Sequence, residues 1–277
     1  MIKQYKPTTP GRRHYTVSNY SVLTTNKPFK KLTKLKKKSS GRSQGRITVR
    51  HKGGGNKKLY RKIFFGEEKK GIPGLIKTIE YDPNRSTFIS LVSYEDGDWG
   101  YILAPHGLKV GDKIVCDEKT SLKKGNRMML KNIPVGAFVH NIEVKLDAGG
   151  RLTRSAGSSA QIIAQDGIHT HLKMPSSEIR KIPNKYYASL GQLSNVEHKM
   201  VRIGKAGRSR HLGRRPKVRG TAMNPVDHPY GGGEGRTKRG TRRPKNIYGK
   251  VTGGRKTRKK KRYSNKFIVA RRKKKRK

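Results

Sequence analysis

The sequence predicts a mainly β protein: small antiparallel barrels or sandwiches in the middle of the chain, set between two long, basic, extended segments. Two observations lead there. The first is where the charge lies. The 277 residues carry 68 Lys and Arg against 17 Asp and Glu, a net charge of +51. Residues 67–198 hold 18 basic and 15 acidic residues and are nearly balanced. Residues 1–66 hold 19 basic residues and no acidic one, and residues 199–277 hold 31 basic and two acidic residues. The second observation is rhythm. In the balanced middle, β-branched and aromatic runs of four to nine residues are separated by turn signals every 8–12 residues, the spacing of antiparallel barrels rather than of a parallel α/β sheet.

Flanks of this composition repel themselves and bury too little apolar surface to offset the entropy of ordering. They order beside a dense polyanion, of which nucleic acid is the commonest. The middle 132 residues suffice for one domain or two small ones. Other classes drop out. No run approaches 18 apolar residues, as a transmembrane helix requires, and no apolar segment follows the basic N-terminus, as a secretory signal requires. Cys116 is the sole cysteine, which excludes an internal disulfide, fits a reducing compartment, and reads as a small buried residue in a strand.

Taken in order, the first flank reads as extended chain. Thr9-Pro10-Gly11 and Lys27-Pro28 break helices, and Lys30 to Lys38 has no apolar face. Arg46 to Val49 is a short alternating strand that feeds Gly53-Gly54-Gly55. Strands are then expected at Leu75–Tyr81, closed by Asp82-Pro83-Asn84-Arg85, and at Ser86–Tyr94, closed by Glu95-Asp96-Gly97-Asp98. Tyr101–Ala104 and Asp112–Cys116 follow. After Gly125 the pattern restarts, with strands at Phe138–Leu146, Ala160–Ala164, His169–Met174 and Glu178–Ile182, so a second small barrel is expected over about 132–198. Ser189–Met200 has room for one helical turn or two. The last flank holds a second triplet, Gly231-Gly232-Gly233, and ends in the runs Arg255–Arg262 and Arg271–Lys277.

The two glycine triplets are the most informative local features. Glycine lets a backbone approach a sugar-phosphate surface, exposes N–H donors and tolerates positive φ, and the neighbouring cations can neutralise phosphates. An isolated triplet would read as a linker, but Arg50, His51, Lys52, Lys57 and Lys58 around the first one favour an interface. Neither triplet has P-loop spacing. Lys58-Leu59-Tyr60-Arg61-Lys62 mixes cations with an aromatic ring, which suits phosphate contact and stacking. Trp99 fits a barrel-end plug and a base platform equally. Asp227-His228 lacks a nucleophile partner, so catalysis is not supported, and His169-x-His171 lacks further ligands, so no metal site and no cofactor are expected. The charge alone does not separate RNA from DNA, and a DNA-compacting architectural protein is the alternative reading, although Ala-Lys-Pro repeats are lacking.

Longer stretches carry a resemblance. Gly204-Lys205-Ala206-Gly207, the block from Arg214 to Pro229, and Gly231-Gly232-Gly233-Glu234-Gly235 resemble the universal large-subunit ribosomal protein two family, bacterial or organellar type. Arg50–Gly55, Tyr60–Lys62, Ile79–Arg85, His140–Glu143, Gly149–Gly157 and Lys266–Val269 agree with it. The resemblance implies an OB-fold barrel followed by an SH3-like barrel, dividing the chain into an N-terminal arm (1–66), OB-fold-like barrel (67–131), SH3-like barrel (132–198) and basic C-terminal region (199–277).

The resemblance also implies a structural, non-enzymatic constituent of the large ribosomal subunit, since peptide transfer is carried by RNA. Its partners would be large-subunit ribosomal RNA, neighbouring ribosomal proteins and, through an intersubunit contact, the small subunit, with no membrane involved. It would support subunit association and tRNA placement in cytoplasmic ribosomes, or alternatively plastid ones. RNA contact is expected at Arg50, His51, Lys52, Gly53, Gly54, Gly55, Lys57, Lys58, Tyr60, Arg61, Lys62, Arg85, Arg151 and Arg154. It is also expected at Lys205, Arg208, Arg214, Arg215, Lys217, Arg219, Asn224, His228, Gly231, Gly232, Gly233, Arg236, Lys256 and Arg258. Asn224, Asp227 and His228 would lie near the peptidyl transferase centre. The chain departs from the family at Tyr230, where a second histidine is common, at Asn56 and Ser177, and in a shortened 236–255 segment.

Overall fold

The computed structural model describes residues 2–36, 40–66, 69–235, 237–254 and 256–272. The protein is mainly β and divides into two compact units. A β unit comprises Met1–Lys37, Lys57–Lys205 and Lys266–Lys277, and a loop unit comprises Lys38–Asn56 and Ala206–Asn265. Among the described residues, no helix is long and apolar enough to cross a membrane.

The β unit begins with β1 (Ile2–Gln4) and β2 (Thr16–Ser18), antiparallel partners joined across the one-turn helix α1 (Pro10–Arg13). The expected break at Thr9-Pro10-Gly11 is where this helix starts, because proline in the first turn lacks only an N–H that has no intrahelical partner there. Next, β3 (Thr33–Leu35) pairs with β6 (Leu59–Arg61). The first flank is therefore extended, as expected, but it is also anchored.

The first large sheet has the antiparallel order β10-β7-β8-β9, formed by β7 (Gly74–Glu80), β8 (Ile89–Tyr94), β9 (Trp99–Leu103) and β10 (Lys113–Ile114). Alternation along β8 sends Ile89 and Leu91 into one core and Val92 and Tyr94 into another, so both faces are covered. The first of these cores is completed by Phe29, Leu32, Ile63 and Phe65 from the basic flank and by Leu193. Trp99, exposed at the start of β9, stacks on Phe29 with ring centroids 5.4 Å apart. The buried Tyr101 hydroxyl accepts the Phe29 N–H (2.8 Å) and donates to Glu80 (2.7 Å), and burial holds its pKa well above the usual phenol value. Gly100 is required by the Phe64 ring, since a Cβ there would lie 2.3 Å from it. A register shift between Ile76 and Thr78 adds the local twist by which such sheets curl.

The second large sheet has the order β11-β16-β12-β13-β14-β15-β17. Its strands are β11 (Arg127–Met129), β12 (Phe138–His140), β13 (Ala160–Asp166), β14 (His169–Lys173), β15 (Ile179–Pro183), β16 (Tyr187–Leu190) and β17 (Ile268–Ala270). They enclose Met128, Leu130, Ile133, Val139, Ile142, Ile162 and Leu172, a single apolar cluster. The sheet begins at Arg127 rather than near 132, and it takes its last strand from the basic C-terminal region.

Some strands are shorter than expected: Ser86–Tyr94 starts at Ile89 and Arg46–Val49 ends at Ile47, and two more are cut short by identifiable hydrogen bonds. Phe138–Leu146 stops at His140 because Asn141 turns left-handed (φ 50°) and donates its side-chain amide to the Phe65 carbonyl (3.0 Å). Gly150 makes room for that turn, since a Cβ on it would lie 2.1 Å from Asn141 Oδ1. Asp112–Cys116 reduces to two residues because the Val115 N–H goes to Asn126 Oδ1 (3.0 Å). Cys116 is half-buried; desolvation raises its thiol pKa. Ser189–Met200 ends in a short 3-10 turn, Val196–Met200.

The loop unit holds the two-residue strands β4 (Arg42–Ser43) and β5 (Arg46–Ile47), paired with each other. It also holds the short helix α2 (Ala206–His211) and a 3-10 turn at Gly220–Ala222, and most of its other described residues are turn and loop. Its 25 Lys and Arg face only Asp227 and Glu234 in its own sequence.

Candidate nucleic-acid interface

The loop unit brings the first glycine triplet beside the Arg214 block. Lys52 and Arg214 form an antiparallel bridge, the Gly53 N–H donates to the Gly213 carbonyl (2.9 Å), and the Arg215 N–H donates to the His51 carbonyl (3.1 Å). Asn56 N–H donates to the His211 carbonyl at the end of α2 (2.9 Å). Five expected residues from two segments at least 162 positions apart, Arg50, His51 and Lys52 on one and Arg214 and Arg215 on the other, are thereby drawn together. Arg50, His51, Lys52 and Arg215 line a cavity of about 180 Å³ with Pro216. Arg50, Lys52, Arg214, Arg215, Lys217 and Arg219 are all exposed.

The triplets have an internal use that their composition does not show. A Cβ on Gly55 would lie 2.7 Å from the His211 carbonyl oxygen, and one on Gly53 would lie 3.2 Å from Arg215 Cγ. Only Gly54 of the first triplet has open space around its Cα. In the second triplet, Cβ atoms on Gly231 and Gly232 would strike Asn224 and Pro225, at 2.2 and 2.6 Å. One on Gly233 would meet Thr237 at 2.2 Å. The glycines thus allow chain to pack on chain, closing a loop in which the Gly232 N–H donates to the Met223 carbonyl (3.1 Å) and the Gly231 N–H to that of His228 (2.8 Å). Asn224 and Asp227 sit exposed in this loop, with the half-buried His228 behind them.

Other expected residues are separate or turned inward. Lys57, Lys62, Arg151 and Lys205 are exposed on the β unit. Tyr60 has the Lys36 ammonium 5.5 Å from its ring, and Lys58 donates to the Pro83 carbonyl (3.2 Å). Arg61 is buried and donates to the Leu59 carbonyl (3.0 Å). Arg85 pairs with the fully buried Asp82 (3.0 Å), and the Arg85 and Arg154 guanidinium groups lie 5.5 and 4.6 Å from the Phe65 ring. Arg258 braces a turn through Asn265 (2.6 Å) and Ser264 (2.8 Å). Arg208 lies in α2. Lys256 is exposed. Arg236 lies outside the described residues.

Sequence reasoning did not single out Lys238, Arg239 and Lys245, which share a cavity of about 670 Å³ with His228 and Tyr230. Their only signal was membership of a basic flank. His228 and Tyr230 rings lie 4.9 Å apart, tilted by 45°, and the Tyr230 N–H donates to His228 Nδ1 (3.1 Å). The Thr241 hydroxyl, and after it the Lys245 backbone N–H, lower the Tyr230 pKa by hydrogen bonding to its phenolic oxygen.

Chemically, these parts offer exposed cations and two adjacent rings, which are the elements of phosphate positioning and base stacking. Comparison with protein families gives two matches. Residues 29–116 match the model described as Ribosomal Proteins L2, RNA binding N-terminal domain. Residues 123–249 match the model described as Ribosomal Proteins L2, C-terminal domain.

Proposed function

The chain belongs to the ribosomal L2 family, a structural, RNA-binding constituent of the large ribosomal subunit, and on that premise we propose how its residues serve that role. The exposed cations of the loop unit neutralise phosphates of large-subunit ribosomal RNA, with Arg50, Lys52, Arg214, Arg215, Lys217 and Arg219 as the principal contacts. The observation that carries this reading is the Lys52–Arg214 bridge, which gathers two distant basic segments into one patch. The segments 1–66 and 199–277 act as RNA-contacting arms around two barrels, OB-fold-like (67–131) and SH3-like (132–198). Neighbouring ribosomal proteins and the small subunit are the further partners.

Removing a whole arm would be a poor test, because Phe29, Leu32 and Ile63 belong to a core and β17 belongs to a sheet. The double substitution Arg214→Gln/Arg215→Gln removes charge alone. It should lower the slope of log affinity against log salt by about 1.5–2 for a large-subunit ribosomal RNA fragment. An unchanged slope would refute the assignment, and equal affinity of the wild-type chain for duplex DNA at the same salt would favour DNA compaction.

Within the subunit, the loop 224–232 supports the peptidyl transferase centre, tRNA placement and subunit association, with Asn224, Asp227 and His228 nearest the centre. His228→Ala in reassembled subunits should slow peptide synthesis while leaving the thermal unfolding of the β unit unchanged. Normal synthesis rates would remove this part of the proposal.

A further inference from the structure

The cavity around His228 and Tyr230 is built for more than charge. Its described lining includes Arg219, Lys238, Arg239 and Lys245 and contains no carboxylate. Four cations of that kind would attract any phosphate. The two rings, tilted by 45° to each other, add aromatic faces, and each ring also carries a polar hydrogen.

The hydrogens follow from the bonds already made. His228 Nδ1 accepts the Tyr230 N–H (3.1 Å), so in the neutral ring the proton sits on Nε2. The Tyr230 oxygen accepts the Lys245 N–H, while the single Thr241 proton is shared between the Tyr230 oxygen (3.4 Å) and the Arg243 carbonyl (3.1 Å), so the long contact to Thr241 leaves the phenolic O–H able to turn to a ligand. The imidazole position depends on Gly220, because a Cβ there would lie 2.4 Å from Nδ1. The volume, about 670 Å³, falls within the roughly 300–1,000 Å³ of pockets that hold a small molecule.

We propose that this cavity receives a single unpaired nucleotide of RNA, its base against the Tyr230 and His228 rings and its flanking phosphates on Arg219, Lys238, Arg239 and Lys245. The proposal rests on the RNA-binding reading above and specifies which feature of the RNA is bound. Sequence-selective contact with RNA is made mainly to unstacked bases, which offer a face to stack on and an edge to hydrogen-bond. Two donors, Nε2–H and the phenolic O–H, match an acceptor-rich edge such as N7 and O6 of guanine. An extended duplex presents only its backbone to the same cations, and the rings contribute nothing to holding it.

The test compares two RNA hairpins that differ by one bulged guanosine, each titrated with the full chain at equal salt. The wild-type chain should bind the bulged hairpin about tenfold more tightly, the scale of stacking one base on an aromatic ring. Tyr230→Leu should abolish that preference while leaving affinity for the bulge-free hairpin unchanged. Tyr230→Phe, which keeps the ring and loses the donor, should retain part of the preference. Equal binding of both hairpins by the wild-type chain, or an undiminished preference in Tyr230→Leu, would overturn the proposal. Guanosine monophosphate competing at micromolar concentration would assign the cavity to a free nucleotide and overturn it as well. Failure to bind either hairpin would reject the RNA-binding reading itself, which keeps the two failures distinct.

Discussion

Arg127→Met is expected to destabilise the full chain by about 3–5 kcal/mol, the usual consequence of breaking a buried ion pair from one side. Arg127 and Glu143 meet at 2.8 Å with side chains only 4% and 1% exposed. The same guanidinium donates to the Asn141 carbonyl (2.7 Å), and the second Glu143 oxygen accepts the Tyr187 N–H (3.2 Å). Gly66 allows the Arg127 side chain its path, since a Cβ there would lie 2.1 Å from Nε. Methionine matches the aliphatic stem but leaves the Glu143 charge buried with one backbone donor. The double variant Arg127→Met/Glu143→Leu removes both charges and should recover most of the loss. Urea unfolding followed by circular dichroism and Trp99 fluorescence measures both variants. A single variant within about 1 kcal/mol of wild type would contradict the importance given to this pair.

The second large effect is a pH dependence centred on His140. Its ring is buried, Nδ1 lies 3.0 Å from the Gly191 carbonyl, and desolvation pushes its pKa from 6.5 down to about 4, with the Arg127 charge acting in the same direction. The unfolded chain takes up a proton at this ring below about pH 6.5 that the native chain refuses until about pH 4. The stabilisation is therefore complete above pH 6.5 and is lost as pH falls towards 4, by roughly 3 kcal/mol across the window. Measuring unfolding free energy from pH 7.5 to 4.5 for wild type and His140→Gln isolates this term, because the carboxylates are common to both. The difference between them should shrink steadily with falling pH. A constant difference would sink the idea.

Both predictions concern residues that sequence alone could not interpret. His140–Glu143 belonged to a resembling stretch with no role attached, and Arg127 stood outside every motif; burial and pairing between distant strands give them their meaning. What alternation and turn chemistry can report was legible: Leu75–Tyr81 against Gly74–Glu80, Glu178–Ile182 against Ile179–Pro183, and the turn at Asp82-Pro83-Asn84-Arg85. What depends on tertiary partners was not. Phe138–Leu146 ended early for the sake of Asn141 and Phe65, and Phe29 and Leu32, embedded among lysines, entered a core.

The interface divides in the same way. A cationic patch was readable from letters, whereas the inward turn of Arg61 and Arg85 was not, because a guanidinium over Phe65 and one facing solvent have the same sequence signature. The glycine triplets stand out in the sequence, but most of their glycines answer to neighbouring chain at under 3 Å.

The pairing of β17 with β15 bears on how this protein survives its own synthesis. Strand β15 is translated long before β17, with the whole Ala206–Asn265 segment between them. During that interval β15 is an open edge, the kind of surface through which nascent chains recruit one another into aggregates. Of the 60 residues of that segment, 20 are Lys or Arg and two are acidic, so two such nascent chains repel each other while their edges are uncovered. The charge that suits the finished protein to a polyanion thus also acts as a solubility guard for the incomplete one.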